Sequence, residues 1–231
     1  MKTILITGVG RGIGKALAER FLAEGHFVIG TAQTETVDYA HPNLQIVSLD
    51  LTSADSIAAC VAKIISSDEN ATRSIDIMIN NAGVLLDNED MNLDIDKLRK
   101  TLEVNLFGTA AFTEKALPSL SKDAHIVNIS SQAGSLQDIE VFEHSHAPFR
   151  YPAYKISKAA LNMYTRTLAL RLRHEGMNII VSAVHPGWVS TDMGGTEAPR
   201  TPAEAAQHIY ELAVSRPETG QFWFDGKKYP W

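Results

Sequence analysis

Short apolar runs alternate with longer stretches of helical periodicity along the whole chain. Ile4-Leu5-Ile6, Phe27-Val28-Ile29, residues 44–49, 75–79, 125–129, 179–184 and 221–224 are short and rich in β-branched or aromatic residues, and predict strands. Residues 15–23 carry Ala16, Leu17, Phe21 and Leu22 at helical spacing, and Gly25 is the expected stop. A second helix is predicted over 54–65, opened by a capping-type Thr52 or Ser53. A long one over 94–120 has Asp94 and Asp96 where the helix dipole favours acids. Residues 151–174 form a helix ended by Gly176, and 202–214 form another with Pro202 at its start. This alternation predicts an α/β fold, a doubly wound parallel sheet of about seven strands covered by helices on both faces. No composition shift marks a linker, so residues 1–231 are expected to be a single domain.

The bulk composition narrows the partners. Hydrophobic residues make up 45% and charged residues 21%, an ordinary globular balance. A net charge of −6 argues against nucleic acid and against an anionic membrane surface. The one cysteine, Cys60, cannot form an internal disulfide, so a reducing, cytoplasmic setting is expected. It reads as a small apolar helix residue rather than a nucleophile. The apolar run near Met1 is too short for a signal sequence, and no segment approaches membrane-spanning length.

Two patterns carry chemistry. Tyr154 and Lys158 lie four residues apart, one turn apart on one helix face. A neighbouring ammonium stabilises phenolate and is expected to lower the tyrosine pKa from about 10, making the pair a usable proton donor and acceptor. Alone, that spacing more often marks an exposed amphipathic helix; the rest of the chain decides. Between the first strand and first helix stands Thr7-Gly8-Val9-Gly10-Arg11-Gly12-Ile13-Gly14. Its glycines let a pyrophosphate approach the backbone, and the helix behind offers free N–H groups and a positive dipole. Ile13 occupies the third glycine position of Gly-x-Gly-x-x-Gly, so the pattern is Thr-Gly-x-x-x-Gly-x-Gly.

With these motifs the chain resembles the short-chain dehydrogenases/reductases, and it is similar to their carbonyl-reductase and C-factor-like group. The resemblance implies a Rossmann-type fold, an NADP(H) coenzyme, a small-molecule carbonyl substrate, and a monomer, homodimer or homotetramer. It implies that Gly8, Gly10, Arg11, Gly12, Ile13 and Gly14 form the coenzyme turn and that Asp50, with Leu51, holds the adenine. Asn80-Asn81-Ala82-Gly83 would support the central sheet, with Asn81, Ala82 and Gly83 lining the coenzyme. Pro186, Gly187, Val189 and Thr191 would cup the nicotinamide. Asn105, Ser131, Tyr154 and Lys158 would be catalytic: Tyr154 the proton donor, Lys158 its tuner and a ribose ligand, Ser131 the carbonyl anchor. Asn105 would distort its helix and hold a relay water.

The second strand ends Gly30-Thr31-Ala32-Gln33-Thr34, with no acid before Glu35 to hold a 2′-hydroxyl. A 2′-phosphate wants a cation and polar donors, and Arg11 is expected beside Thr31 and Gln33, which points to NADPH. The 18-residue connection 133–150 exceeds the length of about 12–15 at which structureless loops tend to be functional. Its Leu136, Ile139, Val141, Phe142, His144, His146 and Phe149 are expected beside the substrate opening. His144 and His146 have no companion at ligand spacing, so no metal is expected. The segment after Thr191-Asp192-Met193 is a short lid, and Trp188 faces either substrate or core. A 3-oxoacyl thioester or steroid-type reductase is the alternative enzyme. A non-catalytic NADP-binding regulatory protein is the alternative of another class, disfavoured by the intact Asn105, Ser131, Tyr154 and Lys158.

Overall fold

Alternate residues of the strands face opposite ways, and each face is apolar. Leu5, Ile29, Met78, Ile126 and Val181 contribute to one core layer, and Ile4, Ile6, Val28, Ile77, Ile79 and Val127 to the other. The strands carrying them are β1 (Thr3–Thr7), β2 (Phe27–Ala32), β3 (Leu44–Ser48), β4 (Ile75–Asn80), β5 (Leu120–Ile129) and β6 (Ile180–Val184), followed by β7 (Gln221–Phe224) and β8 (Lys227–Lys228). They form one sheet in the order β3-β2-β1-β4-β5-β6-β7-β8, parallel throughout except for the β7–β8 pair. This computed structural model describes residues 1–66, 74–137 and 150–231.

Helices α1 (Gly12–Ala23) and α6 (Pro202–Val214) cover one face, through Leu17, Phe21, Ala206 and Ile209. The other face is covered by α2 (Ala54–Ser66), α4 (Thr109–Ala116) and α5 (Pro152–His174), through Ile57, Cys60, Phe112, Leu168 and Leu172. Cys60 is core, and burial pushes its thiol up to about 11. Among the described residues no helix is long and apolar enough to cross a membrane.

Three expectations change. The sheet has an eighth strand, because Asp225 and Gly226 both adopt positive φ (47° and 74°) and turn the chain into a hairpin. The strand β5 starts at Leu120, which pairs with Ile75 across a register shift. The predicted 94–120 helix is broken up: α3 (Ile95–Leu102) leads into a π-helical turn at Glu103–Gly108, then α4, then a 3-10 turn at Leu117–Ser119. At the end of that turn Gly108 meets the α2 approach, where a Cβ would stand 2.1 Å from the Leu51 carbonyl oxygen.

Within β5, His125 is buried with Nδ1 3.1 Å from the Ala213 carbonyl and Nε2 2.9 Å from the Ser182 hydroxyl. A carbonyl only accepts, so Nδ1 carries the proton and Nε2 takes the serine hydroxyl. Burial pushes the imidazole from its usual 6.5 down to about 4. Between those values the unfolded chain binds the proton and the folded chain does not, so stability falls as pH drops through that window. Denaturant titrations should show a loss of about 2 kcal/mol between roughly pH 7 and pH 5 from this group. The difference should vanish in His125→Asn.

Candidate active site

The sheet order reverses between β1 and β4, which opens a crevice at their carboxyl ends. The turn after β1 is tied down from two sides. The Thr31 carbonyl accepts from the Gly8 and Val9 N–H groups, both at 2.9 Å. Asn81, just past β4, donates its side-chain amide to the carbonyls of Thr7 (2.9 Å) and Gly8 (3.1 Å). In return the Thr7 hydroxyl accepts from the Asn81 and Ala82 N–H groups, both at 3.0 Å. Arg11 stands at the N-cap of α1 and provides no side-chain cap for the first N–H groups of that helix. A Cβ at Gly10 would meet nothing within 4 Å. An uncapped helix N-terminus behind an open glycine turn is a fitting cradle for a pyrophosphate.

The other predicted coenzyme residues are placed as follows. Asp50, at the end of β3, accepts from the Thr52 N–H (2.9 Å) and hydroxyl (2.7 Å), which hold its carboxyl below the usual range. Leu51 is buried beside it. Thr31 lies inside β2 with its side chain buried, so what it gives the turn is its carbonyl. Gln33 is exposed. The Arg11 guanidinium pairs with Asp192 at 2.9 Å, both side chains well exposed, so the structure brings Arg11 to the segment after β6. Thr191 approaches from the same side, its Cγ2 3.3 Å from where a Gly12 Cβ would be. Pro186, Gly187 and Val189 are held by Arg200, whose side chain donates to the Pro186 carbonyl at 3.1 Å and forms a two-pronged pair with Asp225 at 2.8 and 2.6 Å. Trp188 is half-buried and donates its indole N–H to the Gly194 carbonyl at 2.8 Å, closing its own loop.

Asn105, Ser131, Tyr154 and Lys158 come together where the π-helical turn and the 3-10 turn Gln132–Gly134 meet α5. The Asn105 amide spans Val84 as a strand would: the Val84 N–H donates to Oδ1 (2.8 Å) and Nδ2 donates to the Val84 carbonyl (2.9 Å). Nδ2 also reaches the Ser157 hydroxyl at 3.0 Å, which in turn donates to the Tyr154 carbonyl at 2.7 Å. Asn105 lies within the π-helical turn, a device frequent at functional sites. A Cβ on Gly83 would lie 3.2 Å from Asn105 Oδ1 and 3.7 Å from Lys158 Nζ, so these groups share one small space.

Lys158 is buried and donates to the Ile129 carbonyl at 2.8 Å, with its ammonium 5.5 Å from the Tyr154 ring centroid. Burial pushes the Tyr154 phenol up to about 12, against the opposing pull of a hydrogen bond with the Ser131 hydroxyl. Burial also pushes the Lys158 ammonium down to about 8. The expected lowering of the tyrosine by its lysine is therefore reversed. For each group desolvation disfavours the charged form, phenolate in one case and ammonium in the other. A phenol with that pKa is fully protonated at neutral pH, which suits a proton donor.

A polar layer lies beneath the site, built around Asn80, which was expected to support the central sheet. Asn128, in the middle of apolar β5, accepts from Asn80 (2.8 Å) and donates to the Thr165 hydroxyl (2.9 Å). Ser130 donates to Asn162 at 2.6 Å, and Asn162 donates to the Gly134 carbonyl at 3.0 Å. The signal was present: an asparagine inside a buried strand needs partners, so it marks a network. His144 and His146, with most of the 133–150 connection, lie outside the described residues.

Fold and site together define an oxidoreductase of the doubly wound α/β class. The chain belongs to the short-chain dehydrogenase family, whose sequence pattern matches residues 2–201. The crystal structure of an NADPH-bound carbonyl reductase from chicken fatty liver superposes with a TM-score of 0.87 at 31% identity, covering 100% of this chain and 99% of that one. The carbonyl reductase Sniffer of D. melanogaster gives 0.84 at 28% identity and covers 100% of both chains. The 3-oxoacyl-(acyl-carrier-protein) reductase FabG of Escherichia coli is 31% identical over 199 residues, 83% of this chain and 75% of that protein.

Proposed function

We propose that this protein is an NADPH-dependent reductase of carbonyl compounds (aldehydes, ketones or quinones) to alcohols. The observation that carries this reading is the half-buried Tyr154, its phenol held protonated beside the Ser131 hydroxyl and one turn from the buried Lys158. Gly83 and residues 186–191 would line the nicotinamide of the coenzyme, which in its reduced form would supply the hydride. Ser131 hydrogen-bonds the carbonyl oxygen and stabilises the charge that develops there. Tyr154 gives that oxygen its proton, and Lys158 holds the nicotinamide ribose and returns a proton toward Tyr154. Asn105 orients the water that feeds Lys158. The likeness to proteins named as carbonyl reductases, one of them with NADPH bound, supports the substrate class and the coenzyme.

The match to FabG favours a second reading, reduction of 3-oxoacyl thioesters. An NADPH-oxidation panel of quinones, aldehydes, ketones and 3-oxoacyl thioesters separates the two. Turnover of the thioesters alone would overturn the first reading, and no turnover of any carbonyl would overturn both. Residues 1–231 act in this reading as one catalytic domain in the cytoplasm, as a monomer, homodimer or homotetramer.

Coenzyme choice rests on Arg11, the cation at the glycine turn, with Gln33 exposed at the end of β2. Charge-assisted hydrogen bonds contribute about 1.5–3 kcal/mol. Arg11→Ala should therefore lower kcat/KM for NADPH by roughly 10- to 100-fold and change that for NADH little. Equal use of both coenzymes by the wild type would refute the assignment.

A further inference from the structure

The residue before α5 has an unusual backbone. Tyr151 sits in the left-handed region (φ 46°, ψ 56°) and provides no side-chain cap. A non-glycine residue there stores strain and persists only where its surroundings hold it. Among the described residues, the segment 84–90 supplies two of the contacts that hold it. The Tyr151 N–H donates to the Asp90 carbonyl at 2.9 Å, and Arg150 pairs with Glu89 at 2.9 Å. Asp90 is itself tied to Lys97 on α3 at 2.6 Å.

The next residue, Pro152, has no N–H, so the first N–H that α5 presents is that of Ala153. It donates to the Asp87 carboxylate at 2.6 Å. Asp87 is 1% exposed, and Tyr154 follows Ala153 directly in the chain. Helix N-termini are ordinarily capped by the residue just before them. Here the cap comes from a loop more than sixty positions upstream (|i−j| = 66). That loop begins at Val84, the partner of the Asn105 amide.

We propose that Asp87 is a positioning residue for Tyr154: its buried carboxylate caps α5 in place of Tyr151 and fixes the first helical turn, from which the phenol is aimed. The inference rests on the reading of Tyr154 as proton donor. A carboxylate at this end of a 23-residue helix also opposes the helix dipole favourably. Lys155 lies close by, its ammonium 5.2 Å from the Tyr151 ring centroid; burial lowers its pKa and the charge of Asp87 acts against that. The segment thus ties Asn105 and the start of α5, next to Tyr154, to one short stretch of backbone.

The test compares Asp87→Ala, which removes the cap, with Asp87→Asn, which keeps an acceptor oxygen of the same reach. Misplacement by about 1 Å can cost roughly 100-fold. Asp87→Ala is expected to lower kcat about 10- to 100-fold with KM for NADPH within about twofold, and Asp87→Asn to recover most of it. Independently of activity, amide exchange at Ala153 and Tyr154 should accelerate in Asp87→Ala and stay near wild type in Asp87→Asn. An Asp87→Ala enzyme with wild-type kcat, unchanged exchange at Ala153, or an Asp87→Asn loss as large as that of Asp87→Ala would overturn the proposal. Tyr154→Phe is assayed alongside: wild-type turnover there would sink the proton-donor reading instead, while the exchange result would still decide whether Asp87 caps α5.

Discussion

Tyr154→Phe lowers carbonyl reduction by about 100- to 10,000-fold, the range set by losing a positioned general acid, and leaves NADPH binding nearly unchanged. The substitution removes one oxygen and keeps the ring, so packing against Tyr151, whose ring centroid lies 6.3 Å away, is retained. The partner hydroxyl on Ser131 keeps the Ala133 N–H at 3.1 Å, so no buried group loses its last hydrogen bond. Melting temperature should therefore change little, and the loss should appear in kcat. Retained turnover in this variant would refute the mechanism. The wild-type pH profile offers a second check. A phenol at about 12 stays protonated throughout the neutral range, and the group that titrates nearest to it is Lys158, at about 8. Reduction should hold steady on the acid side of that value and decline as pH rises through it.

Much of this was legible because the strands and helices differ in period. Ile4-Leu5-Ile6 is apolar on both faces, and α1 carries Leu17 and Phe21 on one, so the layers follow from the residues. The site residues were legible because their motifs fall at strand ends, where a doubly wound sheet places its crevice. What was hidden is instructive. Residues 94–120 keep apolar residues at near-helical spacing, and a π-helical turn adds only one residue to the period, so the apolar pattern does not show the break, although the distortion expected at Asn105 falls where the π-helical turn lies. The two-residue strand β8 is lysine only, with no alternation to detect, though the Asp225-Gly226 pair before it is a hairpin signal. Spacing placed Tyr154 and Lys158 on one helix face but carried no information on burial, and burial sets the direction of both pKa values. Arg11 was legible as the cation of the glycine turn; Asp192 as its partner was not, because nothing in a sequence links two residues from opposite sides of a crevice.

Gly14→Ala should damage the protein, although on local grounds it ought to help. Gly14 is inside α1, where alanine is favoured over glycine by about 1 kcal/mol. A Cβ at this position would stand 2.0 Å from the Gly8 carbonyl oxygen and 2.5 Å from Asn81 Nδ2. The first obstacle is backbone and cannot rotate away, and the second is the amide that ties β4 to the glycine turn. Overpacking of this kind typically costs about 1–3 kcal/mol, more than the helix gains. For a chain of this size that corresponds to a fall in Tm of roughly 2–12 °C. Relief of the clash requires α1 to draw back from Gly8, and its N-terminus is the proposed pyrophosphate cradle. NADPH affinity should therefore fall at least about tenfold, roughly 1.4 kcal/mol. Gly10→Ala is the control for stability, since a Cβ there meets nothing within 4 Å; its Tm should stay close to wild type. A Gly14→Ala protein that melts with the wild type and binds NADPH as tightly would show that the turn is not held against α1 in this way.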